Sequence, residues 1–517
     1  MRQSQRIAIN TFTSWVGIFA NAAVLIFLAK FLLNKLGTDQ FGMFQYVLTI
    51  QGSLIFLDLG LGATLNRLIS RHLAVDDVNR LNAEISFTSL LFFGMGIIAA
   101  VVLAGIGFFL PQLVPGGTTT LYKAGFVLMV CMGANIGIMF WGFAPRGVLF
   151  GKQRYDMVNI IRTVSSMLRA ASIVTLFLIM ASAGLVTIGL CFLVCSLFET
   201  SSLWLLAKQQ YPQMKLGLRF IDKNTVRDIF AFSSYVMILG ITSMLIVSIP
   251  TFLAGRFYGP EAVAYISLSV LVLNQLERIA GGFAPVLIPV AGKYGALNDT
   301  TTLRMIMVRG TKFCALMCFP MGAIAVIFSE PLFEWFKPGF GWTWALLGIM
   351  MFPLLLRTTQ RVSSSVLMGA GSVKWIAFGQ IISVTAIVIL SWLFAVHFDM
   401  KLYGIALGSA IPIFLLSVTF QPAYACRQTG LKWLSYMSQS YSRVVLGLLP
   451  AAVAAVVLAR YFYPNSLFAI ITEALICILV FAGPAWCFVL TANEREQILA
   501  TFRRNGDIQA KNTLVKL

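Results

Sequence analysis

Phe27-Leu28-Ala29 followed by Leu36-Gly37-Thr38-Asp39 returns later in the chain as Phe252-Leu253-Ala254 followed by Tyr258-Gly259-Pro260-Glu261, the second group at an offset of 222 residues. Val148-Leu149-Phe150-Gly151 returns as Val366-Leu367-Met368-Gly369 at an offset of 218. Single tetrapeptides recur by chance; a near-constant offset, with each match between the same pair of apolar segments in its half, points to a duplicated six-helix unit. Six is even, so both copies start from the same side of a membrane. They are expected to be related by a twofold axis along the membrane normal, with a cavity between the two lobes.

Composition puts the repeat in a bilayer. Of the 517 residues 59% are hydrophobic and 11% charged, whereas soluble domains carry about 25% charged residues. Stretches long enough to cross roughly 30 Å of hydrocarbon lie near 7–33, 41–65, 85–110, 121–145, 157–181, 185–207 and 230–254, then 262–290, 309–328, 341–366, 375–396, 402–425, 442–461 and 467–491. The expectation is an all-α polytopic membrane protein of about 14 helices. Its organisation reads as a six-helix lobe over 1–208, a cytoplasmic linker over 209–229, a second six-helix lobe over 230–427, and two additional helices with a polar tail over 428–517.

The formal charge of +19 does not make this a nucleic-acid binder, because the cations are spread between apolar stretches and form no single patch. With a cytoplasmic amino terminus, 29 of the 38 Lys and Arg residues fall on inner loops and tails and 7 on outer ones. That asymmetry orients the chain with both termini inside. The eight cysteines form no CxxC pair and the two histidines, His72 and His397, fall on opposite sides of the membrane, so neither a redox motif nor a histidine-rich metal site is expected.

Ionisable residues in a span cost about 2.5 to 3.5 kcal/mol at a helix centre and call for a partner or a wet cavity. Asp58, Arg169, Glu199, Glu277, Arg278 and Glu473 stand in this position. Shifted by 222, Asp58 aligns with Ala280, about one helical turn from Glu277, so the two carboxylates share a similar face and become the coupling or gating candidates. Both readings stay open: function in the cavity, or plain satisfaction, of Glu277 by Arg278 or a neighbouring helix and of Asp58 by a cap or by Arg67 or Arg71. Glu199 and Glu473 have no repeat equivalent and read as structural. Asn274 is a candidate for bonding a hydroxyl or another helix.

No GxxxxGK[ST], HExxH or GxSxG occurs, and no outer loop exceeds about a dozen residues. A duplicated bundle with charges in its interior and no catalytic motif reads as a secondary transporter, with no enzymatic activity and no cofactor.

Leu36-Gly37-Thr38-Asp39-Gln40-Phe41-Gly42, Leu57-Asp58-Leu59-Gly60-Leu61-Gly62 and the following Arg67 and Arg71 resemble the amino-terminal signature of bacterial polysaccharide transporters, the Wzx-type flippases. Arg146-Gly147-Val148-Leu149 with Gly151-Lys152-Gln153-Arg154-Tyr155 is similar to the loop after helix four in that family. The resemblance covers roughly the first 170 residues. The wider superfamily also contains multidrug exporters of the MATE type and the lipid II flippase.

The resemblance implies MATE-like lobes and a flippase of the bacterial inner membrane. Such a flippase moves an undecaprenyl-pyrophosphate-linked oligosaccharide, a repeat unit of O-antigen, capsule or exopolysaccharide, from the inner to the outer leaflet. Expected partners are that glycolipid, membrane lipid, and the polymerase and glycosyltransferases of the same pathway. A pyrophosphate asks for guanidinium forks, for which Arg278, Arg169, Arg67 and Arg71 are the candidates; Trp15, Tyr46 and Trp141 are candidates for stacking on sugar. A MATE-like cation-coupled exporter is the rival, disfavoured by the arginines that offset Asp58 and Glu277. A membrane-embedded glycan polymerase or glycosyltransferase is disfavoured by the bare outer loops.

Overall fold

The structure, a computed structural model, describes residues 3–58, 69, 78–180, 182–217, 234–281, 284, 287–297, 299–369, 374–462, 464 and 466–496; the side chains of 3–16, 19, 56, 58, 234–237, 280, 281, 289 and 296 lie outside the description. Much of the segment read as the linker, and most of the polar tail, fall outside these residues.

The described chain is helical, and the repeat shows in its backbone. The first helix, α1, runs Gln3–Ser53 and continues as a 3₁₀ turn over Leu54–Asp58. At 1.5 Å per residue a straight helix of 51 residues would extend about 75 Å, more than twice the hydrocarbon thickness. It bends at Gly37, where φ is 76° and ψ 176°. α2 (Val78–Phe108), α3 (Thr119–Trp141), α4 (Phe143–Gly151), α5 (Tyr155–Ile179) and α6 (Leu185–Gln210) come next. α7 (Ser234–Gly281) then repeats the form of α1: 48 residues, bent at Gly259 with φ 80° and ψ −170°. Both glycines occupy the region at positive φ and near-extended ψ that only a residue without Cβ enters readily. The second match is reproduced too, for Gly151 closes α4 and Gly369 closes α10 (Trp344–Gly369).

Twelve helices among the described residues are long and apolar enough to cross a membrane. Two of these, α1 and α7, are each a pair of helices joined at a kink, at Gly37 and at Gly259, where the backbone is non-helical. Hydropathy sees a polar interruption at such a bend. The backbone keeps its helical bonds on both sides of it.

Between α7 and α10 lie α8 (Leu287–Ala296) and α9 (Thr300–Ile327), the latter capped by Asp299, which accepts from Thr302 N–H at 3.0 Å. After α10 come α11 (Lys374–Trp392) and α12 (Lys401–Leu415). A π-helical turn over Leu416–Phe420 carries α12 into α13 (Gln421–Thr429). A second π turn, Ser438–Ser442, joins the short α14 (Trp433–Met437) to α15 (Arg443–Tyr461), and α16 (Leu467–Pro484) is the last long helix.

By packing the chain forms two compact units, Met1–Leu271 with Val373–Pro412, and Val272–Ser372 with Ile413–Leu517. In the first unit α1 and α7 meet with backbone against backbone: a Cβ on Gly42 would collide with the carbonyl oxygen of Pro260. A Cβ on Gly259 would stand 2.6 Å from the carbonyl oxygen of Pro115. Tyr46 packs edge-on against Phe252 at 5.7 Å, and Tyr258 donates to the carbonyl of Ala395 at 2.7 Å. In the second unit an apolar cluster of Ile324, Phe328, Ala455, Ile470 and Cys477 joins α9, α15 and α16. α15 and α16 are thus packed into that unit's core.

Candidate functional site

Among the described residues, the second unit holds the densest buried charge. Glu277 lies one turn before the end of α7, and its Oε1 accepts two guanidinium bonds, from Arg357 Nη1 at 2.8 Å and from Arg361 Nη2 at 2.6 Å. Arg357 and Arg361 are four apart on α10, hence on one face. The Glu277 side chain is 9% exposed and that of Arg357 7%, whereas Arg361 is 42% exposed. One carboxylate therefore serves two guanidiniums, and Arg361 is the more exposed of the two. A buried pair of this kind repays its desolvation only with short, well-formed bonds, which these are.

Next along α10, Gln360 is fully buried and bonded on every side. Its Nε2 donates to the Tyr441 hydroxyl at 2.9 Å, its Oε1 accepts from Ser363 at 2.8 Å and Tyr436 at 3.4 Å, and its carbonyl accepts from Gln421 Nε2 at 2.7 Å. Tyr436 also bonds Thr311 on α9 at 2.8 Å, and Tyr441 bonds Thr359 at 2.7 Å. In the same unit Lys312 donates to Glu494 at 2.7 Å, and Thr491 N–H donates to that carboxylate at 2.8 Å. Burial works against the charged form of Glu494, but the Lys312 and Thr491 hydrogen bonds outweigh it and hold the carboxyl below the usual range.

The first unit carries a separate cation. Arg169 on α5 lies over the ring of Phe192 at 4.5 Å, and its buried Nε has no hydrogen-bond partner among the described residues. Glu199 pairs with Arg146 at 3.5 Å, which itself lies over Phe143. Gln51 donates to Asn135 Oδ1 at 2.7 Å, and Asn135 donates to Ser196 at 2.6 Å, so these amides bond helix to helix.

Of the residues singled out in the sequence, Glu277 is in the charged cluster; its neighbour Arg278 is exposed and Asn274 half-buried. Tyr46 is buried. Trp141 is partly exposed and lies 5.6 Å from Trp204. Arg67 and Arg71 lie outside the described residues, as do the side chains of Asp58 and Trp15. Glu473 is buried in α16, its Oε2 without a hydrogen-bond partner among the described residues. Arg357 and Arg361 escape the sequence reading, although Leu354-Leu355-Leu356-Arg357-Thr358-Thr359-Gln360-Arg361 carries the signal: two arginines at helical spacing inside an apolar span.

Residues 10–294 match the family described as polysaccharide biosynthesis protein. The chain belongs to that family. This polysaccharide biosynthesis protein is 21% identical over 509 residues to EpsK of Bacillus subtilis (strain 168), described as an uncharacterized membrane protein, covering 96% of this chain and 98% of EpsK. It is 21% identical over 399 residues to a putative O-antigen transporter of Shigella flexneri, covering 74% of this chain and 88% of that one. Among solved structures, the inward-facing conformation of a MATE family multidrug resistance transporter of the MOP superfamily aligns with a TM-score of 0.68, at 14% identity over 80% of this chain and 94% of that one. The lipid II flippase MurJ in an inward closed conformation aligns at 0.63, with 13% identity over 93% and 98% of the two chains. The chain shares its fold with these two transporters, and it is a multi-pass membrane protein. The family match includes Glu277 and ends before Arg357 and Arg361.

Proposed function

We propose that the chain flips an undecaprenyl-pyrophosphate-linked oligosaccharide, a repeat unit of O-antigen, capsule or exopolysaccharide, from the inner to the outer leaflet of the bacterial cytoplasmic membrane by alternating access. The observation that carries this reading is the charge balance at Glu277. One buried carboxylate is shared by two arginines, and the half-exposed guanidinium of Arg361 within a span suits an incoming anion. A diphosphate meets that need with the same paired oxygens that a carboxylate offers. Glu277 then acts as a stand-in anion that holds Arg361 until the head group takes its place, and Arg278, Arg169, Arg67 and Arg71 supply further contacts along the path. The family membership and the likeness to a putative O-antigen transporter support the same substrate class.

In this reading both termini face the cytoplasm and the repeats form lobes over 1–208 and 230–427, joined by 209–229, with 428–517 added outside them. Asp58 and Glu277 are the gating carboxylates. A negative head group leaving a negative cell interior gains about 2.3 kcal/mol per charge per 100 mV, so the membrane potential favours outward movement. The polymerase and glycosyltransferases of the pathway are the natural neighbours, and the chain itself catalyses no covalent step.

Complementation of a surface-glycan export defect tests it. Arg361→Ala and Arg278→Ala are each expected to abolish export at normal protein level. Full export by both variants would remove the diphosphate from the account.

A further inference from the structure

We propose that Tyr441 and Tyr436, on the helix beyond the repeat, are positioning residues that set the rotation of α10 and thereby aim Arg357 and Arg361. The inference rests on the diphosphate reading of that site and adds a second layer to it.

Three observations carry it. First, the bonded hub is adjacent to the charged pair on the same helix: Gln360 precedes Arg361 by one residue and comes three after Arg357, so any rotation that breaks the hub also moves both guanidiniums. Second, two of the hub's hydrogen-bond partners depend on π-helical turns. Tyr441 lies within the turn Ser438–Ser442, and Gln421 comes directly after Leu416–Phe420. A π turn inserts about one extra residue and so rotates the remainder of its helix by about 100° relative to a plain α-helix. Both departures converge on one residue of α10: Tyr441 meets the Gln360 side chain and Gln421 its backbone carbonyl. Third, all the atoms concerned are buried, so a lost partner leaves a polar group that water does not reach. Such networks resist rotation as a unit. A tyrosine ring alone would satisfy packing. The hydroxyls matter because they bond Gln360, Thr359 and Thr311 at one end of the ring.

The test is a double-mutant cycle on the full-length protein in detergent, with inorganic pyrophosphate as the probe, orthophosphate as the control, and half-saturation of the ligand-induced rise in melting temperature as the readout. Wild type is expected to respond to pyrophosphate. Arg361→Ala is expected to lose the response, and Tyr441→Phe to weaken half-saturation about tenfold while retaining a cooperative melt. In the double variant, Tyr441→Phe is expected to add nothing to Arg361→Ala. Tyr436→Phe provides a second variant on an independent hydroxyl, should Tyr441→Phe fold poorly. A wild type blind to pyrophosphate would overturn the diphosphate reading and this inference with it. A normal response lost in Arg361→Ala but unchanged in both tyrosine variants would overturn the positioning role alone.

Discussion

Gly37 and Gly259, 222 residues apart, hold the same unusual backbone conformation, φ 76° in one and 80° in the other, each at the bend of a helix of about fifty residues. Their surroundings differ. A Cβ on Gly37 would meet nothing within 4 Å among the described residues, while one on Gly259 would lie 2.6 Å from the Pro115 carbonyl oxygen. Backbone strain alone therefore sets the cost of Gly37→Ala, at about 1 to 3 kcal/mol, and Gly259→Ala is expected to cost more. Melting temperatures of the two purified variants check the order, and equal losses would contradict the close approach.

Glu277 and Arg361 separate fold from function. Glu277→Gln removes the carboxylate charge that the buried Arg357 bonds and is expected to destabilise by about 3 to 5 kcal/mol. Arg361→Ala removes a half-exposed side chain and is expected to cost less than about 1 kcal/mol while abolishing transport. Yield and melting temperature beside export activity distinguish the two. A stable Glu277→Gln variant would mean that its carboxylate carries no structural charge.

The Lys312–Glu494 pair predicts an acid-sensitive contact. The folded Glu494 carboxyl titrates below its unfolded value, so its contribution to stability is full above about pH 4.3 and is lost as pH falls through the lower folded value. Glu494→Gln should flatten the acid limb of the melting-temperature profile between those limits and leave its shape near neutrality unchanged. An unaltered acid limb would show that the pair adds nothing.

These residues are unequally legible in the sequence. The duplication is readable because Gly37 and Gly259 are fixed by a conformation only glycine enters readily, and such positions keep their neighbours' spacing. The kinks are not readable as kinks: a polar Thr38-Asp39 or Pro260-Glu261 step interrupts hydropathy whether or not the chain stays helical through it. Glu277 stands out as an acid in an apolar helix, and its partners do not, because the pairing of α7 with α10 is a tertiary fact. The spacing of Arg357 and Arg361 is enough to flag them. Nothing comparable flags Tyr436 and Tyr441, since it takes the π turn at Ser438–Ser442 to bring the Tyr441 hydroxyl to Gln360.

The most direct test is transfer of a labelled undecaprenyl-pyrophosphate-linked oligosaccharide between leaflets of vesicles containing the purified protein, read by the fraction exposed to an impermeant reagent. The account predicts rapid exchange with wild type, faster when an imposed potential draws the anion toward the measured leaflet, and a background rate with Arg361→Ala. Exchange at the same rate in wild type and Arg361→Ala, or none above empty vesicles, would contradict it.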